Sequence, residues 1–157
     1  MSLVDQVRQN IDEECLARRC RREGCSLTLE SLAHPFLLID MDHERSPSDS
    51  SGGKNCDYIF IGDKENWSWI APLELKRGKL HAKDVVAQIQ AGATVADQIV
   101  PHEVRTRFRP VAAYGGKAHR AELRLLTTSR VRFRSQNNRV ALVRCGTSLL
   151  GALNKRT

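Results

Sequence analysis

The sequence predicts a single α/β domain over residues 1–157, in which a central mixed β-sheet is flanked by helices. The length of 157 residues, with 41% hydrophobic and 27% charged residues, suits one domain with a proper core. Apolar residues at helical spacing alternate with short apolar runs typical of buried strands. The order of a helix, several strands, a helix and a further strand is that of a mixed sheet covered by helices.

The first predicted element is a helix over residues 3–22. Apolar residues recur at helical spacing from Leu3 to Ile11, and the basic end of the segment suits a helix C-terminus. Gly24 is expected to end this helix. A segment over 34–41, rich in Leu, Ile and Phe, then predicts the first strand.

A polar loop and two neighbouring strands come next. The loop over 46–53 consists largely of Ser, Asp, Gly and Pro, which favour irregular structure. Apolar strands are predicted over 56–62 and 67–76, and the polar residues between them indicate a hairpin turn.

The second half of the chain begins with a predicted helix over 83–100. Asp84 suits its start, its apolar face repeats at helical spacing, and Pro101 stops it. The remaining predicted elements are a strand at 106–114, a short helix at 119–127, a hairpin of strands at 131–134 and 139–143, and a helical turn at 148–153.

The net charge of +7 is distributed unevenly. Residues 1–76 hold nine Lys/Arg and fourteen Asp/Glu, whereas residues 77–157 hold sixteen Lys/Arg and four Asp/Glu. An acidic half that supplies ligands and a basic half that supplies counter-charge suit a polyanionic substrate. The alternative is a solvated basic surface without a partner.

The five cysteines and the N-terminal sequence favour a reducing, cytoplasmic location. The N-terminus has no secretory signal pattern, and no apolar run approaches the ~18 residues that span a bilayer, so no membrane partner is expected. Cys15, Cys20 and Cys25 repeat every five residues. On a helix this step turns through about 500°, so the side chains point apart. Free thiols are therefore favoured over an iron–sulfur cluster.

The strongest candidate site combines Asp57 in one predicted strand with Glu74 and Lys76 in the next. Because side chains alternate along a strand, Glu74 and Lys76 point to the same face. Charges in apolar sequence are costly unless they are paired or bind a metal. Two carboxylates are hard oxygen ligands for Mg²⁺ or Mn²⁺, and the backbone carbonyl of Leu75 offers a third. The pattern indicates phosphodiester hydrolysis, in which the lysine orients water or neutralises developing charge.

These residues resemble the PD-(D/E)xK superfamily, the restriction-endonuclease-like nucleases, over the region from the first helix to residue 100. Asp57 matches the acid of the first motif strand, and Glu74-Leu75-Lys76 matches the E-x-K motif. Gln88 matches the glutamine that many members present from the following helix. Glu14 matches a further acid that members often carry on the first helix.

The resemblance implies a restriction-endonuclease-like fold and Mg²⁺-dependent hydrolysis of nucleic acid, most simply by a DNA endonuclease. Two features depart from the family pattern. Cys56 replaces the proline that names the motif, and Pro72 lies inside the E-x-K strand, where it cannot donate to a ladder. Pro72 predicts either a bulge near the site or a strand that begins later.

Two sets of arginines form a candidate nucleic-acid surface. Alternation places three guanidinium groups on one face of each strand, where they can bind phosphates, although a solvated sheet face explains the pattern as well. The candidate residues are Arg105, Arg107, Arg109, Arg130, Arg132 and Arg134. A homodimer is a further expectation, since two-fold symmetry suits duplex DNA.

Several alternatives remain open at this point. Glu74 and Lys76 could form a structural ion pair at a sheet edge. The run ending in Asp40-Met41-Asp42 resembles the nucleophile motif of haloacid-dehalogenase-type phosphatases, which require parallel Rossmann-like strands. A non-catalytic nucleic-acid-binding module, or a nuclease domain that needs a partner for recognition, would also keep the fold.

Overall fold

The computed structural model describes residues 1–48 and 53–157, so part of the loop predicted over 46–53 lies outside the described residues. It confirms a mixed α/β architecture with a central mixed sheet flanked by helices. The helices are α1 (Leu3–Asn10), a 3₁₀ turn (Glu13–Cys15), α2 (Ala82–Ile99), α3 (Arg120–Thr128) and α4 (Leu149–Leu153). The strands are β1 (Cys20–Arg22), β2 (Cys25–Leu27), β3 (Phe36–Asp40), β4 (Tyr58–Asp63), β5 (Ser68–Lys76), β6 (Thr106–Phe108), β7 (Val111–Tyr114), β8 (Arg130–Phe133), β9 (Gln136–Arg139) and β10 (Ala141–Arg144).

The predicted helix over 3–22 is wrong beyond Asn10. Ser2 caps α1 by accepting a hydrogen bond from the Asp5 N–H, but the chain then leaves the helix and forms the antiparallel β1–β2 hairpin. Glu23 and Gly24 both have positive φ, 49° and 83°, as a two-residue type I′ turn requires. Gly24 therefore turns a hairpin, rather than ending a helix.

The main sheet has the strand order β10-β7-β5-β4-β3. Strands β3, β4 and β5 form an antiparallel meander, in which Asp40 pairs with Tyr58 and Tyr58 with Leu73. Helix α2 then crosses back, so that β7 runs parallel to β5, and β10 runs parallel to β7. The end of β3, the start of β4 and the end of β5 consequently meet at one end of the sheet.

Pro72 lies within β5, where the neighbouring strand is interrupted. Strand β5 pairs first with β6 and then with β7, and the strand predicted over 106–114 is broken by Arg109 and Pro110. The Leu73 carbonyl accepts from Asp57 on the β4 side, so the main chain of Pro72 faces β6 and β7. Its missing N–H therefore faces the break in the ladder, which is where the missing donor costs least.

The two faces of the sheet pack against different elements. Ile59, Ile61 and Ile70 lie on the face covered by α1 and α2. Phe60 and Leu73 lie on the opposite face, which packs against the β1–β2 hairpin and α4. Side-chain alternation along the strands therefore separates the two cores.

A disulfide connects Cys25 of the β1–β2 hairpin to Cys145 after β10, with their Cα atoms 5.1 Å apart. The prediction of free thiols is wrong for this pair, because the hairpin brings Cys25 to a residue 120 positions away in the sequence. Cys15, Cys20 and Cys56 are buried free thiols.

The hairpin predicted over 131–143 also differs from the structure. Strand β8 pairs with β9, whereas residues 141–144 form β10 and join the main sheet beside β7. Val140 and Ala141 are buried, which fits a strand of the main sheet better than a surface hairpin. Across residues 1–48 and 53–157, no helix is long and apolar enough to cross a membrane.

Candidate active site

The structure brings Asp57, Glu74 and Lys76 together at the end of the sheet, where Glu74 contacts both of the others. Glu74 Oε1 accepts a hydrogen bond from the Asp57 N–H at 3.1 Å, and Lys76 Nζ lies 3.5 Å from Glu74 Oε2. Asp57 Oδ2 accepts a hydrogen bond from the Leu75 N–H at 2.7 Å. The two carboxylates are thus fixed by the backbone of each other's strand, which gives them a defined separation before any ligand binds.

Burial sets the protonation of both carboxyl groups. The Glu74 side chain is only 2% exposed, and its pKa is raised to about 8, chiefly by this burial. The nearby charge of Asp57 contributes to the rise, while Lys76 opposes it. Burial also raises the pKa of Asp57, against the hydrogen bond from Leu75. Glu74 therefore retains its proton near neutral pH when no cation is bound.

Arg22 adds a cation that the sequence does not predict for this site. Its Nη2 donates to Asp40 Oδ1 at 2.8 Å, and its Nε lies 3.3 Å from Asp42 Oδ2 and 3.5 Å from Asp57 Oδ1. Arg22 ends β1, one residue before the hairpin turn at Glu23. Reading Glu23-Gly24 as a hairpin turn in the sequence would have placed Arg22 on a strand beside this site.

The charges at this end of the sheet do not balance. We call the four acids the acidic cluster: Asp40, Asp42, Asp57 and Glu74. Arg22 and Lys76 are the cations paired with it, so the fully ionised cluster retains a net charge of −2. One divalent cation would neutralise this charge.

The donor set suits a hydrated hard cation better than a closed protein cage. Within the described ranges, no three His, Cys, Asp or Glu side chains form a ready metal-binding group. Mg²⁺ commonly binds through one or two carboxylates and keeps several waters. Asp57 and Glu74 meet that requirement, and the main chain of Leu75, the predicted third ligand, already contacts Asp57 through its N–H.

Gln88 lies on the buried face of α2 and points an unpaired amide oxygen into the structure. The residue is 6% exposed, and its Oε1 has no hydrogen-bond partner among the described residues. Gly92, one turn later, packs so closely on β5 that an added Cβ would lie 3.0 Å from Pro72 Cβ. Because α2 runs back along β5, Gln88 lies about one helical turn closer to Glu74 than Gly92 does.

Glu14 lies on the 3₁₀ turn, not on the first helix where the sequence predicts it. Its carboxylate is 64% exposed and lies 3.3 Å from Arg45 Nη1. In the part of the chain that the structure describes, its contacts do not include Asp57 or Glu74. The early end of α1 at Asn10 accounts for this displacement.

The six candidate arginines divide into exposed and internally bound side chains. Arg134 donates to Asp97 and to the Val100 carbonyl, and Arg109 donates to the Leu153 carbonyl, so these two support the fold. Exposed positions are held by Arg105, Arg107, Arg130 and Arg132. Arg107 stacks on the Trp67 ring at 4.2 Å, beside an open groove of about 600 Å³.

Arg107 does not lie at the acidic cluster. Arg107 pairs with Trp69 near the start of β5, whereas Glu74 is five residues further along that strand. At about 3.3 Å per residue, the separation along the strand is about 16 Å. A nucleic acid would therefore have to span several nucleotides to contact both regions.

The phosphatase alternative does not fit the sheet. Asp40 ends β3, the last strand in the order of the main sheet, and β3 is antiparallel to β4. The haloacid-dehalogenase-type motif requires a run of parallel strands instead. Asp40 and Asp42 bind Arg22, and Asp40 also accepts from the Asp42 N–H.

No family model, curated protein or solved structure matches this chain. The geometry of the acidic cluster and its cations therefore carries the functional argument.

Proposed function

We propose that this chain is a metal-dependent nuclease of restriction-endonuclease-like fold that hydrolyses DNA in preference to RNA. The observation that supports this proposal is the contact of Asp57 and Glu74 with each other's strands, with Lys76 3.5 Å from Glu74. Two carboxylates that can hold a metal and a cation that can stabilise phosphate charge suit a metal-dependent phosphodiesterase.

Mg²⁺ or Mn²⁺ is the cofactor of the proposed site, held by Asp57 and Glu74 with the Leu75 carbonyl as the expected third ligand. When bound, the cation supplies Lewis-acid polarisation of a phosphate oxygen and lowers the pKa of a water. The net charge of −2 that the acidic cluster carries once Glu74 has released its proton fits this role, because it favours a divalent cation in exchange for that proton.

Lys76 and Gln88 complete the proposed machinery. The Lys76 side chain is 30% exposed, so its ammonium group can contact both Glu74 and a phosphate from solvent. It neutralises charge that develops on the phosphate oxygens. The free amide oxygen of Gln88 can orient the attacking water through a hydrogen bond. Glu14, whose carboxylate lies 3.3 Å from Arg45 Nη1, has no part in this contact network among the described residues.

The proposal is tested by incubating plasmid, linear duplex, single-stranded DNA and RNA with the protein and Mg²⁺ or Mn²⁺. Lys76→Ala is compared with Lys64→Ala, which removes an exposed lysine from the β4–β5 turn. We expect cleavage of plasmid DNA by the wild type and by Lys64→Ala, and its loss in Lys76→Ala and with chelator. Loss of 10²-fold or more is expected when transition-state charge stabilisation is removed, about 3 kcal/mol.

Absence of cleavage by the wild type would refute this proposal. Salt-sensitive DNA binding that persists in Lys76→Ala without metal would then identify a binding module, in which Glu74 and Lys76 form an ion pair. Sedimentation with and without duplex DNA tests the predicted homodimer.

A further inference from the structure

Arg22 is held among the carboxylates by a hairpin that is fixed by Tyr58 and by a disulfide. Its guanidinium lies 4.8 Å from the centre of the Tyr58 ring, and the Tyr58 hydroxyl donates to the neighbouring Arg21 carbonyl at 2.7 Å. The Cys25–Cys145 disulfide joins the same hairpin to the strand end of β10. The position of this positive charge is therefore set by the fold.

The contacts of Arg22 differ in quality. The contact with Asp40 is a hydrogen bond of 2.8 Å. The Nε atom, by contrast, is buried and makes no hydrogen bond to the described residues, although Asp42 and Asp57 oxygens lie 3.3 and 3.5 Å away. Arg22 Nη2 also donates to the Asp57 main-chain carbonyl at 3.4 Å. The attraction of Arg22 to the Asp57 carboxylate, by contrast, is electrostatic, without a directed hydrogen bond to secure it.

We propose that Arg22 is a resident counter-ion of Asp57, which a divalent cation displaces when it binds the acidic cluster. This inference rests on the proposed function, since Asp57 is the carboxylate that both cations share. Arg22 keeps Asp40 as its hydrogen-bonded partner after displacement, while Asp57 Oδ1, the oxygen that faces Arg22 Nε, becomes free for the metal. Metal affinity is consequently set by competition with a built-in positive charge, and Arg22 is a positioning residue.

Arg21 provides a matched control for this inference. It precedes Arg22 on β1, is exposed, and points to the other side of the hairpin because side chains alternate. Arg22→Gln and Arg21→Gln therefore make the same change in net charge, but only the first removes the cation beside Asp57. Arg22→Lys keeps the charge and should behave more like the wild type.

The experiment is calorimetric titration of Mn²⁺ into the wild type, Arg22→Gln, Arg22→Lys, Arg21→Gln and Asp57→Asn, with circular dichroism as a check of folding. We expect Arg22→Gln to bind Mn²⁺ about tenfold more tightly than the wild type, because a like charge beside the ion is removed. Arg21→Gln should change the Kd less than about twofold, since screened surface charges act weakly.

The outcomes separate this inference from the proposed function. Mn²⁺ binding that needs Asp57 but is unchanged in Arg22→Gln overturns the counter-ion role and leaves the metal site intact. Absence of Mn²⁺ binding in all five proteins overturns both. If Arg22→Gln does not fold, the Nε–Hε resonance of wild-type Arg22 decides: it should shift as Mg²⁺ saturates the site, and a constant resonance overturns the inference.

Discussion

The buried carboxyl group of Glu74 predicts an unusual dependence of stability on pH in the metal-free protein. Folding raises its pKa from 4.5 to about 8, chiefly through burial. Between these values the folded protein binds a proton that the unfolded chain has released. The free energy of unfolding must therefore fall as the pH rises through this window, and the contribution of Glu74 is fully lost above about pH 8.

The magnitude follows from the same two pKa values. One pKa unit corresponds to about 1.4 kcal/mol, so a rise from 4.5 to about 8 sets a ceiling of about 5 kcal/mol. Water can reach the sheet end through the partly exposed Lys76, which lowers the effective cost of the charge. The Glu74→Gln side chain keeps the shape but cannot ionise. We therefore expect this variant to lack a pH-dependent decrease of about 2–3 kcal/mol in the free energy of unfolding.

The assay is urea unfolding in chelator from about pH 5 to pH 8.5. The matched control is Glu65→Gln, which neutralises an exposed acid in the β4–β5 turn. The stability of Glu74→Gln relative to the wild type should grow with pH, whereas Glu65→Gln should follow the wild type. A constant difference between Glu74→Gln and the wild type across this range would refute the assignment of a raised pKa to Glu74.

Three further predictions concern packing and charge. Cys145→Ser should lower the free energy of unfolding by about 3–5 kcal/mol in urea, because the lost disulfide closes a loop of 120 residues, and an unchanged midpoint would contradict the cross-link. Gly92→Ala should destabilise the protein by about 1–3 kcal/mol, because the added Cβ would collide with Cys56 Sγ. Stabilisation, which is usual for this change inside a helix, would show that α2 packs less closely on the sheet than described. Arg132→Gln should weaken DNA binding at low salt and leave the thermal stability unchanged. Arg134→Gln should instead lower the melting temperature. A reversal of these two effects would disprove the division between exposed and structural arginines.

The strands that carry the acids could be predicted because their signal is local. Runs of apolar residues identify β4 and β5 to within two residues, and alternation along β5 places Glu74 and Lys76 on one face. Gln88 could likewise be placed on α2 by the helical repeat. These elements are long, and each carries its own apolar pattern.

The β1–β2 hairpin could not be predicted in the same way, because its stability comes from distant residues. Its strands are three residues long, and Cys25 is joined to Cys145 on the far side of the sequence. Arg22 meets Asp40 and Asp57, respectively 18 and 35 residues away. A run of arginines by itself favours a solvated helix end, so tertiary contacts decide its conformation.

Whether Glu74 and Lys76 form a structural ion pair or a metal site depends on the free-energy cost of burying the Glu74 carboxylate. A carboxylate held by a stabilising ion pair has a lowered pKa, because its partner favours the charged form. The pKa of Glu74 is raised instead, although Lys76 lies 3.5 Å away, since burial and the charge of Asp57 outweigh that cation. As an ion pair, the two residues therefore fail to offset the cost of burying the carboxylate. A divalent cation shared with Asp57 would offset it, as the proposed metal-dependent function requires.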